Sequence, residues 1–506
     1  MLINDNDSMD FYIEYIIPKS QNYKLFRFKD GSLKATIAII YSMSCGFFSL
    51  IIPYTFCKLG FMSSIIIAIF TCLSNYRMNL IQLDKIDQNK QLNYSNLIEE
   101  LIGKNFCNIV NFVNVIYFII LLWCVQIIIF NFSYLLIENY FSIELQETSS
   151  FSLFNKRIIY LIIVLFIQIP IGLYFKNISN LFIACLYCII VQFVTITIVF
   201  FNCNKIIVIA DAYKMYISLS NEHDKNTQTI QQIIGEGLDF LSIINLVFFL
   251  QNTIPSIINE MHNPTYIRTK KVIKFIYISY LFSFIIYGYL GIYYSKNITS
   301  QLFLDINYDY YINTINNYNI ETTKNNLTIT GFKNYSLINI DNLLKEDFYF
   351  RFIAMFMCLI MSLFQLILFS FNLLDYFKNM LPNNINTTYA FELNYIVIIN
   401  IISSLLAYNI NNVKQVIGLI SGVISAFLGF IVPVTIKIAS KYNRNKVISN
   451  NNQNILVFKN EEKLNLSSVI KNLTKSDLFD ITISIINFLI GIIITFKSLF
   501  NIIKKY

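Results

Sequence analysis

The chain has 506 residues, of which 56% are hydrophobic and only 13% are charged, and its formal net charge is +8. Soluble domains carry about a quarter of charged residues, so this composition indicates a protein that lies in a bilayer. No basic stripe with interleaved aromatic residues accompanies the positive charge, which excludes nucleic acid as the expected partner and favours basic residues as topology anchors. The chain has only two histidines, and we expect no metal site, no cofactor and no enzyme active site.

Apolar stretches of membrane-spanning length follow one another along almost the whole chain. The sequence therefore predicts an all-α polytopic membrane protein with about eleven transmembrane helices. Residues 1–32 are predicted to be a cytoplasmic N-terminal segment, and 33–501 the transmembrane domain. The predicted spans are 33–57, 61–82, 107–138, 157–175, 179–203, 236–258, 272–294, 349–373, 393–410, 413–438 and 479–501.

The distribution of Lys and Arg orients these spans. When the N-terminus is placed on the cytoplasmic side, more Lys and Arg residues lie on that side than on the other, as the positive-inside rule requires. This orientation makes 295–348 an extracytoplasmic loop, in which Asn297, Asn326 and Asn334 are glycosylation candidates, although chance sequons are expected in so Asn-rich a chain. The polar stretch 441–475 is predicted to be a flexible cytoplasmic loop.

Spans one and six are both interrupted, the first at Ser44-Cys45-Gly46 and the second at Gln251-Asn252-Thr253. Hydrocarbon tolerates irregular backbone only where it lines a cavity or is buried in protein. A matched pair of interrupted spans in the two halves of one chain predicts a transporter binding site. We therefore predict inverted five-helix repeats over 33–203 and 236–438, followed by an extra helix over 479–501.

The first interruption offers groups that suit a zwitterion. A helix that restarts near Phe48 presents free N–H groups that favour a carboxylate, and the carbonyls left free before the break can accept from an ammonium group or coordinate a cation. Gly46 lets the backbone leave helical geometry without steric cost, although tight helix packing is an alternative reason for a glycine there. The predicted binding residues at this interruption are Ser42, Ser44, Cys45, Gly46, Phe47, Phe48 and Ser49.

At the second interruption, two consecutive amides, Gln251 and Asn252, stand in an apolar run. Amides are costly near the bilayer midplane, so we expect them to face the bundle interior, where they contact substrate or make interhelical hydrogen bonds. Phe248 and Phe249 would form an apolar wall. The predicted binding residues here are Phe249, Leu250, Gln251, Asn252 and Thr253.

Further along span six, Glu260 is a candidate for a protonation switch or for an inner-gate ion pair with Arg268 or Lys270. A cytoplasmic helix cap is the alternative role for this residue.

Three stretches are similar to the amino acid/auxin permease family of the LeuT-type transporter superfamily. Span one reads Gly46-Phe-Phe-Ser-Leu-Ile-Ile-Pro53-Tyr54-Thr-Phe56 with Gly60 after it, like the family's Gly-rich first helix that ends in Leu-Pro-Tyr-Ala-Phe. Span six ends in Asn259-Glu260-Met261-His-Asn263-Pro264, which resembles the family's Glu-Met-x-Asn-Pro exit. Span ten runs from Ile417-Gly418 through Gly422 to Phe430-Ile-Val-Pro433, like the family's Gly-rich helix that closes in Leu-Pro.

The resemblance implies a LeuT-type fold with broken helices one and six and a secondary active transporter of amino acids that works by alternating access. Gly46 and its neighbours would hold the substrate carboxylate, and residues 249–253 would close the other side. The family pattern is not complete, because Phe48 stands where a second glycine is usual and Gln251-Asn252 stand where many members carry His.

Ser42 stands where sodium-coupled members often carry Asn, and span eight offers only Ser362 and Ser370 as hydroxyls for a sodium site. Proton-coupled or uncoupled transport is therefore expected ahead of sodium coupling. The expected partners are an amino acid, H⁺ and the lipid bilayer of a plasma membrane or a vacuolar or lysosome-like membrane. An amino acid sensor with the same fold and little or no flux is the alternative function.

Overall fold

A computed structural model of the chain describes ten stretches and a few isolated positions. The stretches are 32–45, 61–89, 94–140, 185–194, 230–251, 265–293, 338–381, 389–409, 413–451 and 473–505, and the single positions are 52, 56, 59, 197, 253, 254 and 261. The regular secondary structure of these residues is helical throughout, without a strand, which confirms the predicted all-α class.

The helices follow the predicted spans closely. In chain order they are α1 (Leu33–Cys45), α2 (Phe61–Asn89), α3 (Tyr94–Leu101), α4 (Lys104–Tyr140), α5 (Cys185–Val194), α6 (Ile230–Phe248), α7 (Tyr266–Tyr293), α8 (Ile338–Met380), α9 (Tyr389–Asn409), α10 (413–451) and α11 (Lys475–Lys505). Every predicted span except 157–175, which lies outside the described residues, overlaps one of them, although spans 33–57 and 179–203 are described only in part. The inverted-repeat relation between the two halves stays a prediction.

Two predicted loop boundaries differ from the helix bounds. Helix α8 begins at Ile338, within the stretch predicted as the extracytoplasmic loop 295–348. Helix α10 continues to Asn451, within the stretch predicted as the loop 441–475. The predicted N-terminal segment 1–32, apart from Ser32, lies outside the described residues, as do the candidate glycosylation sites Asn297, Asn326 and Asn334.

Among the described residues, six helices are long and apolar enough to cross a membrane: α2, α4, α7, α8, α10 and α11. Helices α1, α5 and α9 are apolar but are described over shorter lengths. A helix satisfies its own backbone hydrogen bonds, which is why apolar segments of this length are helical in hydrocarbon.

Aromatic side chains join the later part of span one to α6 and α7. The ring of Phe56 lies 5.3 Å from that of Phe240 on α6 and 5.1 Å from that of Phe284 on α7, measured between centroids. Gly288 on α7 faces the Phe56 ring so closely that a Cβ atom there would clash with it. The absent side chain lets span one pack against the α7 backbone.

Helix α10 is not a uniform α-helix. It begins as an α-helix over Val413–Leu419, has π-helical turns at Ile420–Ile424 and Phe427–Ile431, and ends as an α-helix over Val432–Asn451. Gly422 leaves helical geometry at φ −75° and ψ −112°. The π-helical turns of transmembrane helices leave backbone groups that neighbouring side chains can satisfy.

A side chain of α11 satisfies one of these backbone groups, and α11 packs directly on the kink at Gly422. The backbone N–H of Val423 donates to the Thr495 hydroxyl at 3.0 Å. Gly491 lies against Gly422, where a Cβ atom on Gly491 would be only 2.6 Å from the Gly422 carbonyl oxygen. The extra helix is therefore part of the bundle, since it completes the hydrogen bonding of α10.

An ion-pair network ties α11 to its neighbours at the predicted cytoplasmic side. Lys437 on α10 lies 2.6 Å from Asp480 and 2.9 Å from Asp477. Arg77 on α2 pairs with Asp480, and Lys441 pairs with Asp477. Both aspartates are buried, and a buried carboxylate is stable only when it is paired and hydrogen-bonded.

Candidate functional site

The interruption of span six is present in the structure. Helix α6 ends at Phe248, and Phe249 and Leu250 leave the helix, so the interruption begins two residues before the predicted Gln251. The chain then turns, because the Leu250 carbonyl accepts from the backbone N–H groups of Thr253 at 3.1 Å and Ile254 at 3.0 Å. The end of α6 therefore lies in the middle of an apolar segment, where its freed backbone groups need partners.

The last carbonyl of α6 finds its partner on α7. The Tyr277 hydroxyl donates to the Phe248 carbonyl at 2.8 Å. Asn79 on α2 in turn donates from Nδ2 to the Tyr277 hydroxyl oxygen at 2.5 Å. The Tyr277 hydroxyl thus links Asn79 of α2 to the end of α6 by two hydrogen bonds.

Gln251 is fully buried and is bound on several sides by protein groups. Its Nε2 atom donates to Asn75 Oδ1 at 3.2 Å and to the Gly429 carbonyl of α10 at 3.3 Å. Its Oε1 atom accepts from the Leu250 N–H at 3.0 Å, and its backbone carbonyl accepts from Gln82 Nε2 at 2.9 Å. The contacts with Asn75, Gly429 and Gln82 are interhelical hydrogen bonds, one of the two roles predicted for this amide.

Span one is described over 33–45 and at Ile52 and Phe56, and two of its carbonyls just before the predicted interruption are also bound. The Tyr280 hydroxyl donates to the Ile40 carbonyl at 2.7 Å. Gln365 on α8 donates from Nε2 to the Ser42 carbonyl at 2.7 Å. Ser44 and Cys45 are helical. The other predicted residues of this interruption, Gly46, Phe47, Phe48 and Ser49, lie outside the described residues.

Spans one and six lie next to each other. Tyr277 and Tyr280 are one turn apart on α7, and positions three apart on a helix share a face. The Tyr280 ring centroid is 5.2 Å from that of Tyr41 in span one and 6.3 Å from that of Phe248 in span six. One face of α7 therefore contacts both spans, at Tyr41 of span one and at Phe248, where α6 ends.

The two phenylalanines of the predicted apolar wall pack against further aromatic residues. Phe248 stacks on Tyr277, with ring centroids 6.0 Å apart and planes inclined by 10°. Phe249 makes an edge contact with Tyr117 of α4 at 5.0 Å. A Cβ atom on Gly429 would lie 3.0 Å from the Phe249 ring, so the glycine gives the ring its space.

The remaining predicted site residues are placed as follows. The Thr253 hydroxyl donates to the Leu250 carbonyl at 3.1 Å, within the turn. The Ser362 hydroxyl donates to the Cys358 carbonyl of its own helix at 2.9 Å. Asn252 and Glu260 lie outside the described residues. Within the described stretches, no group of three or more His, Cys, Asp or Glu side chains is arranged to hold a metal ion.

Sequence reasoning missed the polar residues of α2 and α7 that surround the interruption. Asn75, Asn79 and Gln82 follow one another at spacings of four and three, which is the spacing of one helix face. That spacing is a usable signal, because three amides on one face of an apolar helix need buried partners. Tyr277 and Tyr280 carry no comparable signal in a chain that has 34 tyrosines.

A polytopic helical bundle that buries the interrupted backbone of one span defines the class of membrane transport proteins. Comparison with protein families agrees with this class and is more specific. The model of the family described as transmembrane amino acid transporter protein matches residues 29–318, which is more than half of the chain. The chain belongs to this family, and it is an integral multi-pass membrane protein whose function is amino acid transport.

Other comparisons add little to the family match. Crystal structures of two mutants of the Eremococcus coleocola manganese transporter align with this chain at a TM-score of 0.48 and 11% identity, over 96% of this chain and 97% of theirs. No protein of curated function matches the sequence.

Proposed function

We propose that the protein is a secondary active transporter that carries amino acids by alternating access and holds its substrate between the interruptions of spans one and six. The observation that carries this proposal is the shared contact of both spans with one face of α7, through Tyr277 and Tyr280. Two interrupted helices that meet inside a bundle provide backbone dipoles for a zwitterion without a buried charge.

The substrate orientation follows from the polarity of the helix ends. In this proposal the N–H groups of Phe47, Phe48 and Ser49 bind the carboxylate, because the start of a helix attracts negative charge. The side of the site formed by span six is apolar, with Phe249 against Tyr117. An apolar wall without a carboxylate favours a neutral or aromatic amino acid over a cationic one.

Proton-coupled or uncoupled transport is proposed ahead of sodium coupling. Gln365 supports this choice, because its amide N–H binds the Ser42 carbonyl at 2.7 Å and takes a lone pair that a sodium ion would use. The positive end of the amide dipole also faces this position and disfavours a cation beside it. Ser362 and Ser370 donate to carbonyls of their own helix, Cys358 and Leu366.

The purified protein in liposomes tests the proposal. Each of the twenty amino acids is offered as labelled substrate, with and without a pH or sodium gradient, and protein-free liposomes give the background. Uptake that follows the pH gradient or needs no gradient is expected. Uptake that requires sodium would contradict the coupling, and tight binding of an amino acid without flux would favour an amino acid sensor.

The site assignment has a separate test. Gly46→Leu places a bulky side chain at the proposed interruption of span one and should abolish uptake while surface expression stays intact. Normal uptake by this variant would remove span one from the binding site. Immunostaining of the full chain in its own cells would distinguish a plasma membrane from a vacuolar or lysosome-like membrane.

A further inference from the structure

The face of α2 that carries Asn75, Asn79 and Gln82 lies against the interruption of span six. All three amides are buried, at 1–2% exposure. Burying an amide in an apolar bundle costs free energy unless the amide is hydrogen-bonded, so three in a row on one face need a common explanation. Their hydrogen-bond partners supply one.

Each of these amides acts on a different group near the interruption. Gln82 donates to the carbonyl of Gln251 at 2.9 Å. Asn75 accepts from the side chain of Gln251 at 3.2 Å, and Gln251 in turn accepts from the N–H of Leu250 at 3.0 Å. Together they bind two of the backbone groups that the chain frees as it leaves the helix there, the Leu250 N–H and the Gln251 carbonyl.

Asn79 acts one step further away, through α7. It donates to the Tyr277 hydroxyl at 2.5 Å, which donates to the carbonyl of Phe248 at 2.8 Å. The three α2 amides therefore reach Phe248, Leu250 and Gln251, which bracket the point where α6 ends.

A contribution to stability alone does not explain the amides of Asn79 and Gln82. Asn79 Oδ1 and Gln82 Oε1 have no hydrogen-bond partner among the described residues, so each side chain uses its nitrogen and leaves its oxygen unpaired. An apolar side chain would avoid that cost, because buried unpaired polar atoms are unfavourable. What an apolar side chain cannot do is make the hydrogen bonds that link α2 to the interrupted segment, directly or through Tyr277.

We propose that Asn75, Asn79 and Gln82 are positioning residues that hold the interrupted backbone of span six in its substrate-binding conformation. They act through Gln251 and Tyr277 and do not touch the substrate. Gln251 is then a positioning residue as well, because both N–H donors of its side-chain amide are bound by Asn75 and Gly429. The inference rests on the proposed function, since it assigns these residues to the same site.

The test compares Gln82→Met with Gln126→Met in the full chain. Gln126 is a buried amide of α4 whose side-chain atoms have no hydrogen-bond partner among the described residues, so it is a matched control. Gln82→Met should raise the KM for the transported amino acid about 10-fold, with a smaller change in maximal rate, because the binding conformation becomes a minor one. Gln126→Met should keep the wild-type KM.

Hydrogen exchange distinguishes a positioning role from a general contribution to stability. In Gln82→Met, exchange should accelerate in the peptide that covers 246–254 and stay unchanged in α4, α8 and α11. A wild-type KM with wild-type exchange in 246–254, or faster exchange in all helices alike, would overturn the proposal. Tyr277→Phe, which removes only the hydroxyl that joins Asn79 to the Phe248 carbonyl, gives the same test should Gln82→Met fail to reach the membrane.

A double-mutant cycle tests whether Asn75 acts through Gln251. The effects of Asn75→Leu and Gln251→Met on KM should be far from additive, since each removes the same hydrogen bond. Additive effects would overturn the link between them. Failure of the wild-type protein to transport any amino acid would contradict the proposed function, and the exchange measurement would still judge the positioning role by itself.

Discussion

Lys497 on α11 binds Asp239 on α6, with Nζ 2.7 Å from Oδ1, and the same Nζ atom lies 2.5 Å from the Gly235 carbonyl. The extra eleventh helix therefore holds the part of span six that precedes its interruption. At its other end, α11 is tied to α2 and α10 through Asp477 and Asp480. One helix thus connects both membrane sides of the bundle.

The first prediction concerns this ion pair. Lys497→Asp should lower the unfolding temperature, and the double exchange Lys497→Asp with Asp239→Lys should restore part of it, since the reversed pair regains the charge attraction but not the bond to the Gly235 carbonyl. The side chains are 28% and 22% exposed, so the expected coupling is only about 0.2–1 kcal/mol. Thermal unfolding of the two single variants and the double variant measures it.

Lys378 and Glu392 form a matched control for this exchange. They pair at 2.6 Å with 33% and 24% exposure and join α8 to α9. Swapping their charges should give a similar coupling energy in thermal unfolding. It should leave the rate of hydrogen exchange in α6 unchanged. A Lys497 cycle with no coupling would show that the contact with the Gly235 carbonyl alone holds the lysine.

The second prediction concerns the contact between α10 and α11. Gly491→Ala should destabilise the protein by about 1–3 kcal/mol, because the new methyl group would meet the Gly422 carbonyl and the Ala426 side chain. Thermal unfolding in detergent or lipid nanodiscs measures the loss.

Gly237→Ala on α6 is the control for Gly491→Ala. Its Cβ atom would meet only the Leu59 side chain, at an ordinary 3.8 Å. It should be neutral or stabilise the helix by about 0.5–1 kcal/mol, because alanine loses less conformational entropy than glycine. Equal effects of the two substitutions would mean that α10 and α11 can move apart freely.

The third prediction concerns Gln365. Gln365→Met removes the donor to the Ser42 carbonyl and should cost about 1 kcal/mol of stability, as the loss of one buried hydrogen bond does. The KM for substrate should rise, because Ser42 directly precedes the proposed interruption. Gln126→Met, which removes an amide without a partner among the described residues, should change neither the stability nor the KM.

The fourth prediction concerns the space that Gly429 leaves for Phe249. Gly429→Ala should raise the KM several-fold, because a methyl group 3.0 Å from the ring would displace the apolar wall. The double variant Gly429→Ala with Phe249→Leu should recover part of the loss, since the smaller side chain makes room. Uptake kinetics of both variants check this, and a double variant worse than either single one would contradict the steric explanation.

The sequence alone determined that the chain is a membrane-embedded helical bundle. Hydrocarbon leaves a backbone no partners other than its own, so apolar segments of sufficient length become helices regardless of their neighbours. The interruption of span six was predictable for the same reason, since Gln251 and Asn252 conflict with a continuous apolar helix. The family resemblance then gave amino acid transport, which the family match confirms.

The tertiary structure decided which groups satisfy that interruption. Gln82 and Gln251 are 169 residues apart in the chain, and Gln365 and Ser42 are 323 apart. The hydropathy of a segment indicates that a polar side chain in it is buried, but it does not indicate which helix the side chain contacts. That contact depends on how all the helices pack together. For this reason the sequence left Gln251 as a substrate contact or an interhelical link, and only the tertiary structure shows the groups of α2 and α10 that its side chain binds.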